Sequence, residues 1–262
     1  MTSLGKIVQI SVTLLASAFL LVPTIQSVLA GLTVNYFQGL RSGLTLEWIA
    51  VVWELYAPST FLSLGLSLAC LAVTLVIGVP AAYVLARNPG RIARAMEEFI
   101  SLPLAIPGLA LALALLQLYG TFKEFRISWT FILVGHVLYT LPFMVRSVQS
   151  VLAAIDLKTL EEAAASLGAG PVRRFVDVVV PNALPGILAG ALTVVTLSIG
   201  EFNLTWMLHT PFLKTLPVGL ADSYASMRLE IASAYTLIFF VMIVPLLVTM
   251  QWASARAQRI SQ

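Results

Sequence analysis

Thr159-Leu-Glu-Glu-Ala-Ala-Ala-Ser-Leu-Gly168-Ala-Gly-Pro-Val-Arg-Arg-Phe-Val-Asp-Val-Val-Val-Pro181-Asn-Ala-Leu-Pro185 is one of the few polar stretches in a chain that otherwise runs apolar. Of its 262 residues, 59% are hydrophobic and only 10% charged. That much apolar surface exceeds what one soluble core can bury. A helix that crosses a hydrocarbon layer of ~30 Å needs about 20 mostly apolar residues, because its backbone groups must be satisfied internally. Six stretches meet that need, roughly 7–32, 59–86, 99–120, 129–150, 184–208 and 231–253. The expected fold class is all-α: one polytopic membrane domain over 1–262, six transmembrane helices, and a polar region, 153–183, between the fourth and fifth.

The charges give that arrangement a direction. With the N-terminus inside, Lys6, Arg87, Arg91, Arg94, Arg146, Lys158, Arg173, Arg174, Arg256 and Arg259 face the cytoplasm, against Arg41, Lys123, Arg126, Lys214 and Arg228 outside. An excess of Lys and Arg marks the cytoplasmic side, so both termini are expected there. The net charge of +3 is a topology signal and leaves no basic stripe for nucleic acid. Lys6 and Val28-Leu29-Ala30 give the first span a signal-peptide look, yet its apolar run is longer than a usual signal core. A retained first span is expected. Tyr36, Phe37, Trp48, Trp53 and Tyr56 crowd the loop from Thr33 to Pro58, as aromatics do at membrane interfaces. A short surface helix and a docking surface for a partner both fit it.

Arg87-Asn88-Pro89-Gly90 stops the second span, and Arg91, Arg94, Glu97 and Glu98 opposite Ile92, Met96 and Phe99 predict a short amphipathic helix after it. Pro103 and Pro107-Gly108 predict a bend in the third span. In the island, Thr159 followed by Glu162 reads as a capping box, so a helix is expected from Leu160. Ala163, Ala164 and Ala165 propagate it, and Gly168 is placed to end it in the left-handed conformation. Gly170-Pro171 opens a second short helix, and Pro181 and Pro185 are expected to break the chain before the fifth span.

Ser198, Glu201 and Thr205 are spaced three and four apart, which puts them on one helical face. An acid deep in a span is costly, so this face is expected to line a translocation path, with Glu201 meeting a cationic or zwitterionic solute or holding a gate. Asn203 and Gln117 read as interhelical hydrogen-bonding residues. His136 reads the same way in preference to a proton relay, and Cys70 as a small core residue. The chain has no Gly-x-x-x-x-Gly-Lys-Ser/Thr loop, no His-Glu-x-x-His and no Gly-x-Ser-x-Gly. No catalytic residue, metal ligand or cofactor site is therefore expected, and the chain is not read as an enzyme.

Glu162-Ala163-Ala164, Gly168, Val178 and Val180-Pro181 together resemble the EAA signature of permease subunits of ATP-binding-cassette importers, with Val in both aliphatic places. Ala165 departs from it where a basic residue often follows. The resemblance implies a type I importer permease with the MetI-like fold, a multi-pass protein of the bacterial inner membrane. It implies that the island is a coupling helix seated on a cytoplasmic ATPase dimer, with Thr159, Glu162, Ala163, Ala164, Gly168, Arg173, Arg174 and Pro181 as coupling residues. ATP and Mg would be bound by that partner. Arg173 and Arg174 could pair with its acids or hold the lipid head groups. A second permease, identical or different, and an external solute-binding protein complete the implied assembly. Ser198-Ile199-Gly200-Glu201-Phe202-Asn203 resembles the fifth-span segment of the permease group for polyamines, aminophosphonates, sulfate, molybdate and iron(III), with polyamine or aminophosphonate first among these expectations. The competing reading is a secondary transporter or channel that uses Glu201 as a cation or proton site.

Overall fold

The computed structural model describes residues 3–260; the side chain of Arg259 lies outside the described ones. Among the described residues the regular secondary structure is all helical, with two isolated antiparallel bridges in the loops, Thr33 with Leu44 and Thr210 with Leu213. The helices are α1 (Ser3–Ala30), α2 (Glu47–Arg87), α3 (Arg91–Ala105), α4 (Gly108–Tyr119), α5 (Lys123–Arg126), α6 (Trp129–Leu152), α7 (Leu157–Ser166), α8 (Pro171–Arg174), α9 (Val180–Gly200), α10 (Asn203–Leu208), α11 (Leu216–Ala225) and α12 (Leu229–Ile260). Five helical segments are long and apolar enough to cross a membrane, and the α3–α4 pair makes six if it counts as one span.

The chain divides into two compact units, the first made of residues up to Pro58 with Gly219–Met242. In that unit the aromatic loop folds on itself. A 3-10 turn at Gly39–Ser42 follows a reverse turn in which the Asn35 carboxamide oxygen accepts from the N–H groups of Phe37 and Gln38. Trp48 Nε1 donates to the Thr33 carbonyl at 2.9 Å, and Glu230 accepts from the Tyr36 N–H at 2.9 Å. The expected second span, 59–86, starts earlier in the structure, because α2 begins at Glu47 and takes up the end of this loop.

The second unit comprises Ser59–Val218 and the chain from Ile243, and its core sits between α6 and α9. Two glycines allow that approach. A Cβ at Gly186 would lie 2.6 Å from the Ser147 carbonyl oxygen, and one at Gly190 would lie 2.8 Å from Met144 Sδ. Small residues let lipid-embedded helices close on each other in this way. Met144, Val148, Val179, Ala183 and Val194 fill the contact. A second cluster holds α10 against α4 and α6 through Leu115, Phe131, Ile132, Leu204 and Leu208.

The expected single span at 99–120 is not one helix. Pro103 is accommodated inside α3, and the chain breaks at Ile106-Pro107, where α3 and α4 meet at 104°. Ile106 is extended (φ −95°, ψ 128°), the conformation that a following proline imposes on its neighbour. The 12 residues of α4 rise only about 18 Å, short of the ~30 Å hydrocarbon layer. On the other side of the break, α3 is tied to α6: Gln149 donates to Glu97, and Arg146 donates to Ser101 Oγ at 3.0 Å.

Candidate functional site

After α6 the chain makes one turn and enters α7 at Asp156. The Asp156 carboxylate accepts from the Thr159 N–H at 3.2 Å and from the Thr159 hydroxyl at 2.7 Å. The expected capping box at Thr159 and Glu162 is thus corrected: the cap lies three residues earlier, and Thr159 is already inside the first turn. A carboxylate is the stronger acceptor for the unpaired N–H groups of a helix start. These bonds hold the Asp156 pKa below its ordinary value. Glu162 points outward and comes within 3.9 Å of Lys158, both side chains being exposed, so the pair contributes little.

The other end of α7 is closed as tightly. Gly168 has φ +84°. Its N–H donates to the Ala165 carbonyl at 2.9 Å, and that of Ala169 donates to the Ala164 carbonyl at 3.0 Å. These two bonds form a complete Schellman motif. Gly170 is extended and Pro171 occupies the first turn of α8, where its missing N–H costs nothing. Arg173 pairs with Asp177 at 3.2 Å one turn further on, while the buried Nε of Arg174 has no hydrogen-bond partner among the described residues. The break expected at Pro181 and Pro185 does not occur. A π-helical turn at Phe175–Val179 leads without interruption into α9, where Pro181 lies in the first turn and Pro185 inside the helix. The π turn before it is the local adjustment that absorbs the missing N–H of Pro181, and Asn182 Nδ2 donates to the Val178 carbonyl at 2.8 Å.

Glu161, which was not among the expected coupling residues, is the acid that this segment turns inward. It is 3% exposed. Arg87 Nε lies 3.1 Å from its Oε2, and the Tyr83 hydroxyl donates to its Oε1 at 2.5 Å. The available signal was its spacing of four from Leu157, another buried residue of α7. Leu160, Ala163 and Leu167, spaced three and four apart, are exposed on the outer side, Leu167 to 89%.

Ser198, Glu201 and Thr205 do not share one helical face, which corrects the spacing argument. The helix ends at Gly200, Glu201 is extended (φ −69°, ψ 122°), and α10 starts afresh at Asn203. The Glu201 carboxylate caps α10 instead: it accepts from the N–H groups of Leu204 and Thr205, each at 2.8 Å, and from the Thr205 hydroxyl at 2.6 Å. Arg126 closes the far end by donating to the Leu208 carbonyl at 2.8 Å. His136, fully buried on α6, joins the two sides of the break, with Nδ1 2.8 Å from Ser198 Oγ and Nε2 2.8 Å from Thr205 Oγ1. The Thr205 hydrogen is committed to Glu201, so the imidazole proton is assigned to Nε2 and Nδ1 accepts from Ser198. Thr140 continues this line by donating to the His136 carbonyl at 2.8 Å and contacting Cys70 Sγ at 3.1 Å. Asn203 and Gln117, expected to bond between helices, are exposed in the chain.

Residues 75–260 match the family described as "Binding-protein-dependent transport system inner membrane component". The chain is 34% identical over 193 residues to a putative ABC transporter permease protein of Streptomyces antibioticus, covering 69% of this chain and 82% of that protein. It is 32% identical over 173 residues to the molybdenum transport system permease protein ModB of Escherichia coli, covering 61% and 70%. A chain of the MetNI methionine ABC transporter, solved in inward-facing conformations, superposes with a TM-score of 0.64 at 20% identity over 81% of this chain and 98% of that one. The last likeness concerns the fold, which is MetI-like. Helix content, hydropathy and the matched region agree that the chain belongs to the family of binding-protein-dependent transport system inner membrane components, the permeases of ABC transporters.

Proposed function

We propose that this chain forms the translocation pathway of an ATP-driven importer and takes its drive from a separate ATPase through α7. The observation that carries this reading is α7 itself, ten residues long, closed at one end by Asp156 and at the other by Gly168. Its outward side offers Leu160, Ala163 and Leu167, an apolar stripe that suits a groove on a partner. Thr159, Ala164, Arg173, Arg174 and Pro181 hold that surface in shape or border it, and Glu162 is the acid it presents. In the proposed assembly a dimer of ATPase subunits binds ATP and Mg, a second permease completes the pore, and a solute-binding protein delivers the cargo from outside. Both termini face the cytoplasm, and the membrane is the bacterial inner membrane.

Relatives named as molybdenum and sulfate transport permeases turn the solute reading from a polyamine or aminophosphonate toward a small oxyanion of the molybdate or sulfate type. The Glu201 geometry favours the same change. Three donors of the chain itself occupy the carboxylate, out of about four acceptor positions. It serves as a structural gate post beside the path, and it leaves few free oxygen lone pairs to coordinate a cation.

Proteoliposomes holding this chain with its genomic ATPase, permease and binding-protein neighbours test the proposal. Molybdate or sulfate uptake should require ATP and a hydrolysis-competent ATPase, and spermidine should not enter. Uptake that persists with a dead ATPase, driven by an ion gradient, would return the chain to the secondary-transporter reading.

A further inference from the structure

Two adjacent glutamates of α7 have opposite fates. Glu162 faces solvent, whereas the Glu161 side chain is 4% exposed and sits between the last two turns of α2 and the start of the π turn. The Arg87 guanidinium donates from Nη1 to the Tyr83 hydroxyl at 3.0 Å, the Tyr83 hydroxyl donates to Glu161, and Arg87 Nε meets Glu161 directly at 3.1 Å. The three side chains close a ring in which each touches the other two. The Tyr83 ring also packs on Phe175, at 5.4 Å between centroids.

A buried carboxylate persists only when paired and hydrogen-bonded, and replacing a whole buried ion pair by well-packed apolar residues is often neutral or stabilising. Cohesion alone is therefore a poor reason for this ring, and what it adds is a directional link of fixed length. The backbone joins α7 to α6 before it and to α8 after it. It does not join α7 to α2. The Glu161 ring makes that connection, at the point where Asn88-Pro89-Gly90 ends α2.

We propose that Arg87, Tyr83 and Glu161 form a joint that passes the displacement of α7 to α2, so that an ATPase pushing on the outer face of α7 moves α2 together with α6 and α9. This proposal rests on the reading of α7 as the ATPase-docking helix. Glu161 and Arg87 are positioning residues, and neither touches solute or nucleotide.

The test uses the complete transporter in proteoliposomes, with three readouts: ATPase retained on the purified chain, ATP hydrolysed, and oxyanion taken up per ATP. Glu161→Gln and Arg87→Gln should each retain the ATPase and lower uptake per ATP at least fivefold. Reversing the pair, Arg87→Glu with Glu161→Arg, should restore uptake per ATP to within about twofold of the unaltered transporter, since the Tyr83 hydroxyl can both donate and accept. Rescue by reversal separates a joint from a merely space-filling role. Unchanged uptake per ATP in Glu161→Gln, with the ATPase bound, overturns the proposal, as does a reversed pair no better than the single variants. If Glu161→Gln does not accumulate in the membrane, Tyr83→Phe decides: a twofold or greater loss supports the joint and an unchanged ratio overturns it. Failure of the docking reading looks different, because the unaltered chain would then retain no ATPase.

Discussion

At Gly168 the backbone is left-handed, with φ +84°, and open space surrounds the position of a Cβ. A side chain there meets no clash but must adopt a conformation that costs about 1–3 kcal/mol. Gly168→Val is expected to loosen the end of α7 and reduce the ATPase recovered with the chain in a pull-down, while Gly168→Asn, which tolerates positive φ, retains most of it. Asp156 is a second residue whose effect is readable by itself. Its folded pKa lies below the unfolded value, so its capping contribution is complete above the ordinary carboxylate range and is lost as pH falls through the folded pKa. Hydrogen exchange in the first turn of α7 should therefore be slower in the native chain than in Asp156→Ala at neutral pH, and the two should converge as the pH falls through the folded pKa of Asp156. His136 is held by two hydroxyls. Replacing it with Leu leaves Ser198 buried without its acceptor, a loss of about 1–3 kcal/mol, and should lower the melting temperature in detergent.

Between elements, the α6–α9 contact depends on which atom faces each glycine. The group nearest Gly186 is the Ser147 carbonyl oxygen, which belongs to a helix backbone and also accepts no relief from rotation, whereas the group nearest Gly190 is the thioether of Met144, which can swing. Gly186→Ala should therefore destabilise the protein by about 1–3 kcal/mol and Gly190→Ala by clearly less, as thermal unfolding of the two variants side by side would reveal. The α9–α10 break depends in turn on Glu201. Glu201→Leu removes all three of its bonds to α10, whereas Glu201→Gln keeps an acceptor oxygen. Uptake should fall further in the Leu variant than in the Gln variant. Equal loss in both would indicate that the charge, and not the cap, matters.

For the whole molecule, hydropathy sets the membrane class, and the distribution of Lys and Arg is the ground for proposing that both termini are cytoplasmic. A fluorescent reporter fused after α12 should light up in the cytoplasm, and a phosphatase fused there should stay inactive; the opposite pattern would invert the topology and put α7 out of the reach of an ATPase. The fold is shared with a MetNI chain at only 20% identity. Lipid-facing positions ask only for apolar side chains, so packing constrains the choice of residue chiefly where helices touch or cap one another.

The sequence by itself determined what depends on neighbours along the chain: the all-α membrane class, the island with its signature, and the left-handed end at Gly168. Hydropathy, helix termination and positive φ are local, and are written in consecutive residues. The tertiary structure decided what the inward glutamate meets, since the spacing from Leu157 distinguishes Glu161 from Glu162 but Tyr83 and Arg87, its partners, lie more than seventy residues away. It also decided that Asp156 and not Thr159 begins α7, and that the helix stops at Gly200 so that Ser198 and Thr205 meet through His136. A count of residues per turn assumes an unbroken helix, and packing against α4 and α6 together with the Glu201 cap made the broken one the better arrangement.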